Sequence, residues 1–144
     1  MHRVYLSLGT NLGDKETNLK IAVNEITKLI GEVTSLSAFY ATEPWGFTSE
    51  HIFLNAVCCV YTTLSPIEVL HITQKIERSL GRMKKTINSD YSDRIIDIDI
   101  LLYDDLQMKT SELTIPHPLM WERDFVMIPL KEIAPDIISP NHEC

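Results

Sequence analysis

The sequence is short of the features that staple, anchor or polarise a protein. Its 144 residues include three cysteines, Cys58, Cys59 and Cys144. An odd count with two adjacent lacks the spacing of a disulfide framework or a zinc site and points to a reducing compartment. No apolar run approaches the length that spans a bilayer, so no membrane role is expected. Met1-His2-Arg3-Val4-Tyr5-Leu6 runs directly into strand-like sequence without the form of a signal peptide. The expected location is therefore the cytoplasm. Basic residues are the minority, 13 Lys and Arg against 20 Asp and Glu, and the net charge of −7 counts against a nucleic-acid partner. Internal repeats and low-complexity segments are also lacking.

What is present suits one globular unit. A hydrophobic content of 44% with 23% charged residues is ordinary. A chain of this length buries about two-thirds of its unfolded surface and needs no staples. The expectation is a single domain over residues 1–144, acting as a monomer.

The most informative stretch is Asp93-Arg94-Ile95-Ile96-Asp97-Ile98-Asp99-Ile100-Leu101-Leu102-Tyr103. Ile96, Ile98, Ile100 and Leu102 share one parity; Ile95, Asp97, Asp99 and Leu101 share the other. β-Branched residues at period two predict a strand. Asp97 and Asp99 then point the same way, roughly 6.6 Å apart along the chain. Carboxylates that close repel unless a cation or solvent separates them. Mg²⁺ takes one or two carboxylates and completes its shell with water and phosphate. A merely wet strand face is the alternative. Ile95 and Leu101 argue against it, because that face would be polar only at its centre.

Along the chain, Val4–Leu8 predicts a first strand, and Gly9-Thr10-Asn11-Leu12-Gly13 a turn with a glycine at each end. The turn lacks the lysine and spacing of a phosphate-binding P-loop. Asp14 caps a helix over 15–30, where Leu19, Ala22, Val23, Ile26, Leu29 and Ile30 recur at helical spacing, and Gly31 follows it. Val33–Tyr40 and Ile52–Thr62 predict two further strands, separated by a loop containing Pro44 and Trp45. Ser65-Pro66-Ile67-Glu68 is a capping box with proline at the first helical position. The helix it opens buries Val69, Ile72, Ile76 and Leu80. Beside them runs a half-polar stripe of Leu70, Gln74 and Glu77. Residues 82–93 have no periodicity and carry Arg82, Lys84 and Lys85, a basic loop leading into the acidic strand. Two prolines keep Ile115-Pro116-His117-Pro118 out of regular structure. Trp121–Ile133 is largely helical, with Pro129 interrupting it.

The order β-α-β-β-α-β followed by a helical segment is the α+β, ferredoxin-like pattern. It implies an antiparallel sheet with helices on one face and the other face free to build a site. Paired carboxylates, basic residues and an amide beside an aromatic (Asn55, Phe53) are the means of phosphoryl transfer to a flat heterocycle.

Several segments in register carry a resemblance: Leu8-Gly9-Thr10-Asn11-Leu12-Gly13, Phe39-Tyr40-Ala41-Thr42-Glu43-Pro44, Phe53-Leu54-Asn55-Ala56, Gln74-Lys75-Ile76-Glu77 leading to Gly81-Arg82, Arg94 to Leu101, Pro116-His117-Pro118, Arg123-Asp124-Phe125, and Pro129 to Pro135. In these the chain resembles the 6-hydroxymethyl-7,8-dihydropterin pyrophosphokinases of folate biosynthesis. The resemblance implies transfer of pyrophosphate from ATP to the pterin hydroxymethyl oxygen, with AMP leaving. It implies two Mg²⁺ ions on Asp97 and Asp99, and a pterin pocket of Thr42, Pro44, Trp45 and Asn55 with Phe53 and Phe125 sandwiching the ring. Leu70, Gln74, Glu77, Ile100 and Thr114 would surround the adenosine. Arg82, Lys84, Arg94, His117 and Arg123 would face the phosphates, where arginine grips oxygens in pairs. With the aspartates, Arg82 and Arg94 are the expected catalytic residues. The lesser alternative for His117 is a plain loop residue, and for Phe125 plain core. The segment departs from many relatives at Asp90-Tyr91-Ser92-Asp93, where they carry Arg-Trp-Gly-Pro. Glu112 replaces an arginine and Pro118 a tyrosine. Two rival readings are a nucleotidyl transferase of the polymerase-palm type, against which the charge of −7 speaks, and a non-catalytic ligand-binding domain, which would bind pterin without turnover.

Overall fold

The computed structural model describes residues 1–42, 52–81 and 95–137. Four long or mid-length strands form the sheet: β1 (His2–Thr10), β2 (Glu32–Leu36), β4 (Phe53–Thr62) and β5 (Asp97–Tyr103), with a short β3 (Tyr40–Thr42). Their order is β2-β4-β1-β5, all neighbours are antiparallel, and β3 also pairs with β4. Helices α1 (Lys15–Leu29) and α2 (Pro66–Gly81) cross between strands, and α3 (Asp124–Ile133) follows a 3₁₀ turn at Met120–Glu122. This is the ferredoxin-like arrangement expected from the element order.

Local chemistry explains the helix starts. Asp14 accepts the Thr17 N–H at 3.2 Å. Ser65 and Glu68 bond reciprocally, Glu68 N–H to Ser65 Oγ at 3.2 Å and Ser65 N–H to Glu68 Oε1 at 2.8 Å. Gly31 is required by a close approach: a Cβ there would lie 1.9 Å from the Tyr61 carbonyl oxygen.

Two apolar clusters sit on opposite faces of the sheet. Val4, Leu6 and Leu8 of β1, Ala56, Cys58 and Val60 of β4, and Ile96, Ile98 and Ile100 pack with Leu19, Ala22 and Ile26 of α1 and Val69 and Ile76 of α2. On the other face Val57 and Leu101 pack with Met120, Val126 and Leu130, joined by Tyr5 and Phe125. The second face is thus partly covered by α3 instead of wholly open, which leaves its polar end for a site.

Several sequence expectations change in detail. Ile115, expected outside regular structure, pairs with Met108 in a short strand at Thr114–Ile115, since only the residues after it are held by the prolines. Gly9 lies within β1, which runs to Thr10, so the glycine pair does not bracket the turn; Asn18 holds the following backbone by donating to the Leu12 carbonyl at 2.8 Å. Val33–Tyr40 is split into β2 and β3 because Ser37 bonds Val57 in place of a strand pair: the Val57 N–H donates to Ser37 Oγ at 3.0 Å and the Ser37 N–H to the Val57 carbonyl at 2.9 Å. The β1–β5 register shifts between Tyr5 and Leu6, pairing them with Leu102 and Ile100. Leu101 is the extra residue of a bulge, so Leu102 leaves the isoleucine face and packs with the second cluster. Pro129 does not interrupt α3; its burial with Val126 and Leu130 outweighs the hydrogen bond it cannot donate to the Phe125 carbonyl.

Candidate active site

Strand parity assembles the polar end of the second face. Asp97 pairs with Gly9, which pairs with Asn55, which pairs with Tyr40; one step along, Asp99 pairs with Ser7, which pairs with Val57. Asp97, Gly9 and Asn55 therefore form one row across β5, β1 and β4, on the face where Val57 and Leu101 meet α3. The predicted aspartate pair points onto this face.

Gly9 is the floor of the row. A Cβ at Gly9 would sit 2.9 Å from Asn55 Oδ1 and 3.7 Å from Phe53 Cδ1. Its missing side chain lets the amide and the ring lie over the strand. The amide is fixed from the other side, since Asn55 Nδ2 donates to Thr42 Oγ1 at 2.6 Å. Asn55 is 5% exposed, and a buried amide placed this way offers directed polar contacts to a flat ring. Phe53, Asn55 and Thr42 are thus brought together, as their pairing along β3 and β4 requires. Phe125 opens α3 on the same face, half-buried against the second cluster, with the Arg123 guanidinium 5.5 Å from its ring centroid.

Beyond Asp99 lies a pocket of about 270 Å³. Leu70 of α2, Ile98, Asp99 and Ile100 of β5, and Thr114 and His117 line it, with a wall from Thr110 to Leu113 and Pro118. That wall is a tight hairpin joining β6 (Met108–Lys109) to β7 (Thr114–Ile115), where Thr110 Oγ1 accepts the N–H groups of Glu112 and Leu113 at 3.2 and 3.0 Å. Leu70, Ile100, Thr114 and His117 were each expected near the nucleotide. Thr110, Ser111, Leu113 and Pro118 were missed as lining; the signal available was the stretch of Thr, Ser and Glu between Lys109 and Leu113. Gln74 is exposed on α2. Glu77 reaches the strand itself, accepting the Ile98 N–H at 2.7 Å on the outer edge of β5.

His117 follows β7 and donates its backbone N–H to the Leu101 carbonyl at 3.0 Å. Its Nδ1 accepts the Leu119 N–H at 3.2 Å, which leaves Nε2 to carry the proton of the neutral ring. Burial holds the imidazole below its ordinary pKa, the Arg123 guanidinium adds to this, and Asp97 opposes it. His117, Arg123 and Asp97 therefore share one electrostatic neighbourhood.

Asp97 and Asp99 fit a divalent cation by chemistry: two hard carboxylates on one strand face, half-buried, over a glycine. Among the described residues no group of three or more His, Cys, Asp or Glu gathers as a metal cage. Two carboxylates are the protein share that Mg²⁺ takes when phosphate and water supply the rest. Pro44, Trp45, Arg82, Lys84 and Arg94, together with Asp90 and Tyr91, lie outside the described residues. Among those described, no helix is long and apolar enough to cross a membrane.

Residues 5–135 match the family model described as 7,8-dihydro-6-hydroxymethylpterin-pyrophosphokinase. A Porphyromonas gingivalis protein named 2-amino-4-hydroxy-6-hydroxymethyldihydropteridine pyrophosphokinase is 52% identical over 133 residues, 92% of this chain and 90% of that protein. The Aquifex aeolicus protein of the same name is 39% identical over 97% of this chain and 85% of its own length. Among solved structures, a Plasmodium falciparum HPPK-DHPS triple mutant superposes with a TM-score of 0.77 at 16% identity, covering 99% of this chain. The chain spans 41% of that longer protein, and at this identity the likeness bears on fold alone.

Proposed function

The chain belongs to the 7,8-dihydro-6-hydroxymethylpterin-pyrophosphokinase family, and from this premise we propose how its residues divide the work. The reaction is transfer of a pyrophosphoryl group from ATP to the hydroxymethyl group of 6-hydroxymethyl-7,8-dihydropterin in folate synthesis, releasing AMP. The observation that carries the assignment of roles is the shared row of Asp97, Gly9 and Asn55.

In our reading the pterin lies over Gly9, with Asn55 and Thr42 pairing its edge and Phe53 and Phe125 stacking on its faces. Pro44 and Trp45 complete that pocket. ATP places its adenosine among Leu70, Ile100 and Thr114, with Gln74 and Glu77 on the same helix, and its phosphates towards Asp99. Asp97 and Asp99 would hold two Mg²⁺ ions, which when bound neutralise phosphate charge. Arg123 and His117 meet the phosphates from the α3 side, and Arg82, Lys84 and Arg94 from the 82–94 segment.

The hydroxymethyl oxygen attacks the β-phosphorus in line, and the bond from that phosphorus to the oxygen bridging the α-phosphate breaks. AMP carries that oxygen away with the electron pair of the broken bond, and the proton of the hydroxymethyl group passes to solvent. A loose transition state needs little help from a base, so positioning and charge stabilisation carry the rate. Neutral His117 can donate from Nε2 to a phosphate oxygen without adding a formal charge. This reading includes one monomeric domain over residues 1–144 in the cytoplasm; free, buried Cys58 and Cys59 support a reducing compartment.

Product analysis tests the proposal. Incubated with ATP, Mg²⁺ and the dihydropterin, the protein should yield AMP in step with diphosphorylated pterin. ADP would mean attack at the γ-phosphorus, and unchanged ATP with bound pterin would favour a binding domain.

A further inference from the structure

Helix α3 carries Phe125 near its start and Glu132 near its end. They are seven positions apart, close to two full turns, so they share a helix face roughly 10 Å apart. Phe125 belongs to the proposed pterin pocket. Glu132, exposed and outside that pocket, has another attachment. Its carboxylate accepts the Ala38 N–H at 3.0 Å and 3.2 Å, one oxygen each, and the Tyr40 hydroxyl at 2.6 Å. That short bond raises the Tyr40 pKa.

Ala38 and Tyr40 lead directly into the pocket. Tyr40 starts β3, a strand of three residues whose partners on β4 are Asn55, Leu54 and Phe53. Thr42 at its end receives the Asn55 amide. A strand this short gains little from its own pairing. The three bonds from Glu132 fix the residues that enter it, and charged hydrogen bonds are the stronger kind.

We propose that Glu132 is a positioning residue for the pterin: by bonding Ala38 and Tyr40 it sets β3 on β4 and, through Thr42, orients the Asn55 amide at a fixed spacing from Phe125. One helix thereby gauges the distance between two walls of the pocket. This rests on the reading of Thr42, Asn55 and Phe125 as pterin residues.

The test compares Glu132→Ala, Glu132→Gln and Tyr40→Phe by AMP formation with ATP, Mg²⁺ and the dihydropterin, alongside Asn55→Ala. Glu132→Ala should raise the KM for the pterin about tenfold, the size of a lost charged hydrogen bond, with the KM for ATP within about twofold. Glutamine keeps an acceptor for the Ala38 N–H and a polar partner for Tyr40, so Glu132→Gln should restore most of the pterin affinity. Tyr40→Phe removes one bond from a site that stays folded and should raise the pterin KM about threefold. A lowered melting temperature with both KM values unchanged, or both KM values rising together, overturns the proposal. If Asn55→Ala weakens the pterin and Glu132→Ala does not, only the positioning role falls. If Asn55→Ala leaves the pterin KM unchanged, the pocket reading falls and the positioning role with it.

Discussion

The two faces of the sheet use the same strands for opposite ends. Ile96 just before β5, and Ile98 and Ile100 on it, are 5%, 4% and 3% exposed against α1 and α2. The residues between them, Asp97 and Asp99, stand half-exposed on the other side. On β1 the same alternation gives Leu6 and Leu8 to the helices and Ser7 and Gly9 to the opposite face. The helix-covered face removes apolar surface from water, which stabilises the fold. The second face is apolar only where α3 sits and polar beyond it. There like charges and a buried amide are gathered at some cost to stability, as functional sites commonly are. Stability and chemistry are therefore separable by residue parity, and substitutions should show it.

The largest effect is expected at Asp97. Asp97→Ala should lower the rate of AMP formation by at least about a thousandfold, because charge neutralisation at the phosphates is worth several kcal/mol. The melting temperature without metal should change little, since Asp97 stands half-exposed outside both apolar clusters. Turnover near the wild-type rate would remove Asp97 from the metal role. The opposite substitution is Leu6→Ala. Leu6 is fully buried on the helix-covered face of the sheet, and truncating it should cost about 2–5 kcal/mol in denaturant unfolding. The rate per folded molecule should stay within about twofold. If either variant moved both observables strongly, the separation by parity would fail.

The same alternation explains which parts of the fold are legible in the sequence. Ile96-Asp97-Ile98-Asp99-Ile100 placed the aspartates on one face because period two is local and dictated by the backbone. Ser65 and Glu68 marked a helix start for a similar reason, as a capping box closes within four residues. What stayed hidden depends on partners distant in sequence. The break at Ser37 needs Val57. The Leu101 bulge needs the register with β1. Gly9 read as a turn residue, and only Asn55 lying across it shows why it has no side chain. Phe53 and Asn55, two residues apart on one strand, were legible as an aromatic and an amide suited to a flat ring; the sandwiching role of Phe125 came only from family resemblance. The 110–113 wall of the pocket had little sequence signal, because its hairpin has only two-residue strands.

Gly9 offers a smaller and more selective break. Gly9→Ala puts a methyl group 2.9 Å from Asn55 Oδ1, and the amide is the part able to move. The variant should weaken pterin binding about tenfold, as misdirecting one buried hydrogen-bonding group does, while ATP affinity and the melting temperature change little. This can be read by calorimetric titration of each substrate. Equal weakening of both would mean the methyl disturbs β1 and β5 instead of the amide. Unchanged pterin affinity would mean the amide is not what the ring meets.

The smallest effect belongs to a residue on neither face. Asp104 follows β5 at the end farthest from Asp97, in the left-handed region with φ of 52°. Its carboxylate accepts the Arg3 N–H at 2.8 Å and lies 2.8 Å from His2 Nδ1. The backbone hydrogen bond, followed by the histidine, holds its pKa below the ordinary carboxyl value. A carboxyl whose pKa is depressed on folding adds stability above its unfolded pKa and loses it as pH falls through the folded one. Asparagine tolerates a positive φ, so Asp104→Asn keeps the turn and removes the titration. Its melting temperature should fall about 2 °C below wild type at pH 7, and the gap should close as the buffer is taken below pH ~3. Turnover should be unaffected, because the bond ties the chain's start to the far end of the strand. A gap constant with pH would assign the difference to turn geometry. A loss of activity would show that the far end of β5 communicates with the aspartates, and that parity alone does not insulate the site.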